Sequence, residues 1–275
     1  MIRVRTIRLV ERAYEALRVR DSLRARALVG TGDDSSHPAT NMNLGRRDFL
    51  AAGAGSLAAA LLTACDANPR GAESLLRFAE RRNEVVERWL LRHTAMDHSR
   101  ARVAGRAFPS YFISSSVPIW DPAVRGPWAL EVSGLVARPL RLTLPDLLAL
   151  PQTRQRVNHF CVEGWNAVAD WWGVRVREIA RLAGARPEAR YVDFQSFDAG
   201  FHESWDLESA THPQTIIAYA KDGRFLPPAY GAPARLHSPV KLGYKNTKYL
   251  TRVAFQAERN GGYWSDQGYE WYGGT

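Results

Sequence analysis

From Met96 onward the chain is built of short segments rich in β-branched and aromatic residues, separated by Pro, Gly and Ser. Segments such as 129–134 and 251–255 have the length and composition of β-strands. Short helical patterns with a Pro or Gly at one boundary interrupt them. These patterns span 144–150, 176–183 and 207–211. Strands interspersed with short helices predict an α+β domain with mixed sheets.

Before this region, apolar residues recur at helical spacing among Arg and Glu from Ala72 to His93. This periodicity predicts an amphipathic surface helix. The chain shows no internal repeat and no low-complexity linker after Cys65. We therefore expect one domain of about 170 residues, at 105–275, behind an anchor and helical arm at 65–104.

Composition excludes several classes of protein. With 45% hydrophobic and 24% charged residues, the 275-residue chain is typical of a globular protein rather than a disordered one. The formal charge of +9 is dispersed, without the Lys/Arg tract that follows a phosphate backbone. We expect no nucleic-acid partner.

The segment 42–64 has the pattern of an export signal. Gly-Arg-Arg-Asp-Phe-Leu at 45–50 precedes a run of small residues and Leu that reaches Ala64. This run of about 16 residues is shorter than the roughly 20 that cross a bilayer as a helix. The order of these features resembles a twin-arginine signal that ends in a lipoprotein cleavage box, Leu-Thr-Ala-Cys. The resemblance implies a lipid anchor on Cys65, with the protein in the periplasm or on the outer face of the cytoplasmic membrane.

Residues 1–41 precede this signal, although such signals normally begin close to the initiator. We therefore expect Met42 to be the initiator and 1–41 to be an incorrectly assigned start or a disordered extension. The alternative to an export signal at 42–64 is a short buried Ala/Leu helix with an incidental arginine pair. Four features in the right order favour the signal: paired Arg, the following Phe-Leu, the apolar run and the small-small-Cys end.

If Cys65 is lipidated, Cys161 is the one thiol left, and it has no disulfide partner. A lone cysteine is often a buried, inert residue. Here it lies in Asn-His-Phe-Cys-Val-Glu-Gly-Trp at 158–165, at the end of a predicted strand and before a glycine. Polar residues collected at such a strand end favour a functional cysteine.

The segment Cys-Val-Glu-Gly-Trp at 161–165, followed by Trp-Gly-Val at 172–174 and Ile179, resembles the molybdopterin-binding domain of the sulfite oxidase family. The likeness is greatest to its compact bacterial branch, which includes the periplasmic methionine-sulfoxide reductase catalytic subunit. It covers about 105–270 and implies a molybdenum–molybdopterin cofactor whose metal is ligated by Cys161. A soft thiolate suits a high-valent metal already held by the pterin's sulfurs.

A second pair of motifs supports the same resemblance. Gly-Ala-Pro-Ala-Arg-Leu at 231–236 and Gly-Tyr-Lys-Asn-Thr-Lys at 243–248 match two family motifs at the family's separation. The resemblance implies that these motifs contact the pterin and its phosphate, since a buried dianion needs fixed donors and a permanent positive charge. By position the contacts fall on Arg235, Asn246, Thr247 and Lys248.

Four further residues are assigned to the cofactor site by the resemblance. They are Tyr111 and Phe112 in an N-terminal loop, Ser196 at the place of a family hydroxyl residue, and Tyr230, where relatives carry Asn or His. Each is also compatible with a role in core packing.

The resemblance implies a molybdenum-dependent oxidoreductase that transfers an oxygen atom to or from a sulfoxide, N-oxide or related small molecule. The chain has no haem or iron–sulfur motif, so electrons must pass through a partner, for which the resemblance suggests a membrane b-type cytochrome. The larger family members carry a dimerisation domain that this chain lacks, and we expect a monomer.

Three alternatives remain from the sequence. They are a sulfite dehydrogenase, a hydrolase or thiol enzyme that uses Cys161 with His159, and a non-catalytic binding lipoprotein of the same fold. The sulfite-oxidising members carry two arginines at the fourth and fifth positions after the cysteine. Trp165 and Asn166 occupy those positions here, which favours a neutral substrate because an unpaired anion would be costly to desolvate.

Overall fold

The computed structural model describes residues 69–91, 96–198 and 200–275. The predicted signal at 42–64, Cys65 and the segment 1–41 lie outside these ranges, so the proposals for them remain predictions. Pro69–Thr275 form one compact unit. Across the described ranges, no helix has the length and apolar character needed to cross a bilayer.

In the described residues, short helices are interspersed among the strands without a regular repeat. The helices are α1 (Pro69–Leu90), α2 (Pro122–Arg125), α3 (Leu144–Ala149), α4 (Val176–Ala183) and α5 (Leu207–Ala210). The strands are β1 (Ala129–Gly134), β2 (Leu140–Thr143), β3 (Gln152–Phe160), β4 (Asn166–Arg175), β5 (Tyr191–Ser196), β6 (His202–Asp206), β7 (Ile216–Lys221), β8 (Arg224–Phe225), β9 (Arg235–His237) and β10 (Leu250–Gln256). Single 3-10 turns occur at Gly105–Ala107, Pro228–Tyr230, Gly243–Lys245 and Ser265–Gln267.

The strands form two sheets. In the first, the order is β2-β1-β10-β5-β6, and β1 pairs with β10 in parallel while the other pairs are antiparallel. The second has the order β3-β4-β7-β8, with β9 also paired to β7, and is antiparallel throughout. This arrangement confirms the predicted α+β class with mixed sheets.

The main core lies between the two sheets. It combines side chains of the first sheet, such as Leu130 and Val253, with residues of α4 and with Ile217 of the second sheet. A smaller core on the other face of the second sheet includes Ile216 and Trp171. Ile216 and Ile217 enter different cores because successive side chains of a strand point to opposite faces. The second sheet is therefore buried on both faces.

Local signals explain where the short helices begin and end. The side chain of Thr143 accepts a hydrogen bond from the amide of Asp146, and the Asp146 carboxylate accepts one from the amide of Thr143, which forms a capping box at the start of α3. At the end of α4, Gly184 adopts φ 65°, and the amide of Ala185 donates to the carbonyl of Ala180. The helical patterns predicted at 144–150 and 176–183 are confirmed.

The predicted amphipathic helix is present as α1, and its polar side faces the domain. The Arg259 guanidinium contacts the carboxylates of Glu80 at 2.8 Å and Glu84 at 3.6 Å. Arg88 is paired to Glu84 within the helix at 2.9 Å. One turn further on, Leu91 packs against Gly274. The C-terminal segment thus holds α1 by its charged side.

The attachment of α1 should weaken with rising pH. Burial, followed by repulsion from the nearby Glu270 carboxylate, raises the pKa of Glu87 to about 7, with a smaller raising effect of Glu84 and an opposing effect of Lys241. Because the folded pKa lies above the unfolded value, this contribution is complete in acid below the unfolded pKa and is lost as the pH rises through about 7. We expect the urea midpoint to fall between about pH 6 and about pH 8, and to fall less in Glu87→Gln.

The exposed Glu188 provides the control for this prediction. Glu188→Gln should retain the pH dependence of the unmodified protein. Equal slopes in the Glu87→Gln and Glu188→Gln variants would show that Glu87 does not titrate in this range.

Candidate active site

A cavity of about 440 Å³ opens where the end of β3 approaches the segment that carries the two predicted cofactor motifs. Seven of the nine residues assigned from the resemblance line it. They are Tyr111, Phe112, Cys161, Ser196, Arg235, Asn246 and Lys248. The other two are not part of the lining: Thr247 lies between the lining residues Asn246 and Lys248, and the Tyr230 carbonyl accepts a hydrogen bond from Arg235. The sequence motifs therefore meet in space at one cavity.

Cys161 occupies a tight turn directly after β3. Its amide donates to the carbonyl of Trp165 at 2.9 Å, and its carbonyl accepts from the amide of Gly164 at 3.0 Å. The thiol sulfur is partly exposed and lies 3.9 Å from Oε2 of Glu163, which also accepts from the indole of Trp165 at 2.9 Å. Burial, with the Glu163 charge as a further cause, raises the pKa of the Cys161 thiol. The turn presents the sulfur to the cavity.

Arg235 and Lys248 place two cations in the cavity wall without a carboxylate in contact, among the described residues. The Arg235 guanidinium donates only to backbone carbonyls, those of Tyr230, Leu236 and Asn246. The Lys248 ammonium donates to the carbonyls of Tyr111 and Ala229 and to the hydroxyl of Ser110.

The buried surroundings of Arg235 and Lys248 lower the pKa of both side chains. Burial lowers the pKa of Arg235 to about 10. Burial and then repulsion from Arg235 lower that of Lys248 to about 6, against an opposing effect of Asp198. Both side chains pack against Gly231, where φ is 101° and an added Cβ would lie 3.0 Å from Cβ of Lys248. An anion bound beside this pair would be attracted by both groups.

Asn246, Thr247 and Tyr230 support the cavity through hydrogen bonds within the protein. The Asn246 side chain accepts from the amide of Ser238 at 2.6 Å and donates to two carbonyls of the preceding loop. The Thr247 hydroxyl donates to the carbonyl of Phe194 at 3.4 Å. The Tyr230 hydroxyl donates to the carbonyl of Phe108 at 2.7 Å. These side chains are thus engaged in holding the loops together.

Asp198 holds the N-terminal loop of the site, although sequence reasoning did not select it. Its carboxylate accepts from the amide of Ile113 at 3.2 Å and from the hydroxyl of Ser114. Its own amide donates to the hydroxyl of Ser196 at 2.9 Å, which fixes the place of that predicted site residue. The loop that carries Tyr111 is therefore tied to the strand end at Ser196.

Tyr249 and His159 also line the cavity and carry buried polar atoms without a partner in the described structure, the Tyr249 hydroxyl and Nδ1 of His159. Tyr249 adopts φ 56°, an uncommon conformation for a side chain of this size. Its position directly after the predicted Lys248 was the one signal available in the sequence. A buried donor left unpaired is costly, so both atoms are suited to contact a bound group.

A thiol at the mouth and, in the wall, two basic side chains without carboxylate partners among the described residues suit an anionic ligand that a soft sulfur atom can also hold. The comparison with known families identifies the class: residues 115–264, more than half of the chain, match the model described as the oxidoreductase molybdopterin binding domain. The chain belongs to this family of molybdopterin-dependent oxidoreductases. The predicted enzyme class and the predicted molybdenum–molybdopterin cofactor are confirmed.

Similar proteins support this membership. The chain is 40% identical over 235 residues to YedZ1 of Azospira oryzae, named as a protein-methionine-sulfoxide reductase subunit, with 84% of this chain and 88% of that protein covered. It is 31% identical over 179 residues to the oxidoreductase YuiH of Bacillus subtilis, with 62% of this chain and 89% of that protein covered. It is 28% identical over 162 residues to the protein-methionine-sulfoxide reductase catalytic subunit MsrP of Campylobacter jejuni, with 53% of this chain and 54% of that protein covered.

The residues of the cavity fit the cofactor. Cys161 offers a soft sulfur ligand, and Arg235 offers the permanent positive charge that a phosphate requires. A bound phosphate would also favour the protonated form of Lys248, which donates beside Arg235. The unpaired Tyr249 hydroxyl and His159 nitrogen add polar contacts for a large heterocycle. The individual contacts remain predictions for these residues.

Proposed function

We propose that this protein reduces a sulfoxide, with methionine sulfoxide as the substrate class, on a molybdenum ligated by Cys161. The observation that supports this most is the partly exposed Cys161 thiol, which lies at a cavity with aromatic residues at its entrance and Arg235 and Lys248 in its wall. When bound, the cofactor supplies two-electron redox chemistry and oxygen-atom transfer. The balanced reaction takes a sulfoxide, two electrons and two protons to a thioether and water.

The protein's own residues divide the binding work. Cys161 ligates the metal, and Arg235 and Lys248 hold the phosphate of the pterin. The loop around Tyr111 and Phe112, which Lys248 and Asp198 attach to the rest of the domain, would contact the cofactor. Because these contacts are fixed by hydrogen bonds within the protein, the cavity is pre-formed for the cofactor.

The surroundings of Cys161 favour a neutral substrate. Trp165 stacks on Tyr111 with ring centroids 6.2 Å apart, so one wall of the mouth is aromatic. The Glu163 carboxylate near the sulfur would repel sulfite. Arg156, which could have restored positive charge, is paired with Asp170 at 2.8 Å, and neither it nor Arg175 lines the cavity. A sulfoxide or an N-oxide avoids the desolvation cost of an anion.

Two alternatives from the sequence lose support. The Cys161 thiol makes no hydrogen bond to His159 in the described structure, and burial lowers the pKa of His159 to about 3, which is unsuitable for a base that activates a thiol. A binding protein with a decayed site would not be expected to retain the thiol together with both cations. The names of YedZ1 and MsrP, as methionine-sulfoxide reductase proteins, agree with the proposed substrate.

The electron donor and the cellular location follow from the same proposal. The chain carries no predicted haem or iron–sulfur site, so we propose a membrane b-type cytochrome as donor. An enzyme exported through the signal at 42–64 and anchored at Cys65 would meet such a donor on the outer face of the cytoplasmic membrane. We propose that it acts as a monomer.

Steady-state assays test the substrate. With reduced viologen as donor, we expect turnover of methionine sulfoxide, and with ferricyanide as acceptor we expect weak sulfite oxidation. The reason is the cost of bringing a dianion beside Glu163 and Trp165. Efficient sulfite oxidation without reduction of sulfoxide or trimethylamine N-oxide would reverse the proposal.

Molybdenum analysis of two arginine variants tests whether Arg235 holds the phosphate of the cofactor, with Arg252 as the matched control. Arg235→Gln should lower the metal content per chain, since it removes a charged contact to the phosphate. Arg252→Gln alters an exposed arginine paired with Glu131 on the first sheet and should leave the metal content unchanged. Equal contents would mean that the phosphate lies elsewhere.

A further inference from the structure

Helix α1 carries an apolar surface that the domain leaves uncovered. This surface, the outer face, consists of Leu75, Phe78, Val85, Val86, Trp89 and Leu90, which are each between 49% and 65% exposed. Their spacing of three and four residues places them on one side of the helix. Six exposed apolar side chains gathered on one side of a helix mark a binding surface rather than scattered surface residues.

The attachment of α1 fixes the direction of the outer face. Glu80 and Glu84 are held by Arg259, and Leu91 packs against Gly274 at the helix end. Rotating the helix to bury the outer face would break these contacts and leave Arg259 without its carboxylate partners, which is unfavourable. The orientation is therefore set by the domain, independently of the chemistry of the cavity.

Two exposed arginines lie beside the apolar residues. Arg82 lies among them, with its guanidinium carbon 5.1 Å from the centre of the Phe78 ring, and Arg81 lies next to Val85 on the helix surface. Apolar residues flanked by Arg suit a bilayer interface with anionic headgroups, where the apolar side chains enter the acyl boundary and the cations remain at headgroup level. A second copy in two-fold contact would instead bring the same arginines towards each other.

We propose that the outer face of α1 docks on the surface of a lipid bilayer that carries anionic headgroups. The position of α1 supports this occupant, because Pro69 lies four residues after the predicted lipid-bearing Cys65. A lipid at that residue would hold the helix at the membrane, and the helix would supply the second attachment that stable anchoring requires. The helix then lies parallel to the membrane and fixes the orientation of the domain.

Vesicle flotation tests the proposal on the holoenzyme that begins at residue 65 and carries Cys65→Ser, so that neither a lipid chain nor the apolar run of the predicted signal contributes. We expect binding to phosphatidylcholine vesicles with about 30% phosphatidylglycerol, and less to pure phosphatidylcholine. Phe78→Glu with Trp89→Glu should weaken the binding about tenfold or more, because one buried large side chain contributes at least that factor. Val124→Glu, at an exposed apolar position on α2, is the control and should bind as the parent does.

Thiol labelling of a Val86→Cys variant distinguishes a bilayer, the chain itself and a second copy as possible occupants of the outer face. Mass spectrometry of the peptide that contains residue 86 measures the labelling rate of this cysteine alone. Rapid labelling of the vesicle-free monomer that slows with vesicles supports the proposal. Slow labelling of the vesicle-free monomer would show that the chain itself covers the face, and would overturn it. A dimer that the double variant dissociates would assign the face to a second copy, and absence of vesicle binding would also overturn the proposal.

Discussion

Replacing Cys161 by Ala is expected to lower molybdenum-dependent turnover more than about 100-fold, since residues that only support a metal ligand already contribute 10–100-fold. The change removes the thiol that the turn after β3 presents to the cavity. Steady-state kinetics and metal analysis of the same preparation would measure the effect. Loss of turnover is expected whether or not the pterin retains the metal.

The control for this variant is the other cysteine. Cys65→Ser should keep the specific activity of the purified protein, because the predicted role of Cys65 is attachment to the membrane. Turnover of Cys161→Ala equal to that of Cys65→Ser would exclude Cys161 as the ligand and would require a new assignment of the site.

Replacing Lys245 by Met should destabilise the protein by about 3–5 kcal/mol, the cost of leaving one partner of a buried ion pair alone. The Lys245 ammonium contacts the Glu203 carboxylate at 2.6 Å, and both side chains are fully buried. Glu203 also accepts from the amide of Trp264 at 3.1 Å and the hydroxyl of Ser265 at 3.3 Å. Denaturant unfolding of the cofactor-free protein would measure the loss.

Two further variants test whether the loss comes from the buried ion pair: one removes both charges of that pair, and the other breaks an exposed pair. Adding Glu203→Gln to Lys245→Met should recover part of the stability, because the uncompensated charge is removed. Arg252→Gln, which breaks the exposed pair with Glu131, should cost no more than about 1 kcal/mol. A loss in Lys245→Met as small as in Arg252→Gln would show that the buried pair contributes little.

The sequence predicted the fold where local signals were strong. The helix at 176–183 ends at Gly184 as expected, because a glycine tolerates the left-handed conformation that closes it. The strand at 129–134 was predicted to the residue, since turn-forming residues bound it. Pairing of the strands could not be predicted, because it depends on contacts between residues far apart in the chain.

The site shows a similar division. Motif likeness assigned Arg235 and Lys248 to the cofactor, and both contribute to the same cavity. It also left Lys245, three residues before Lys248, out of the site, but it could not show that the Lys245 side chain turns towards the buried Glu203. The conformation of Tyr249 was also inaccessible, since its positive φ leaves no pattern in the sequence. Helical periodicity likewise predicted α1 without showing which of its sides faces the domain.

The parallel pairing of β1 with β10 has a consequence for the order of biosynthesis. Glu131 pairs with Arg252, so the centre of the first sheet joins residues from opposite ends of the domain. The loop around Tyr111 likewise makes its contact with Lys248, which lies 137 residues further along the chain. Contacts of such sequence separation form late and slowly. The part of the cavity that this loop forms with Lys248 is therefore complete only after the chain has been synthesised through residue 248 and these segments have met.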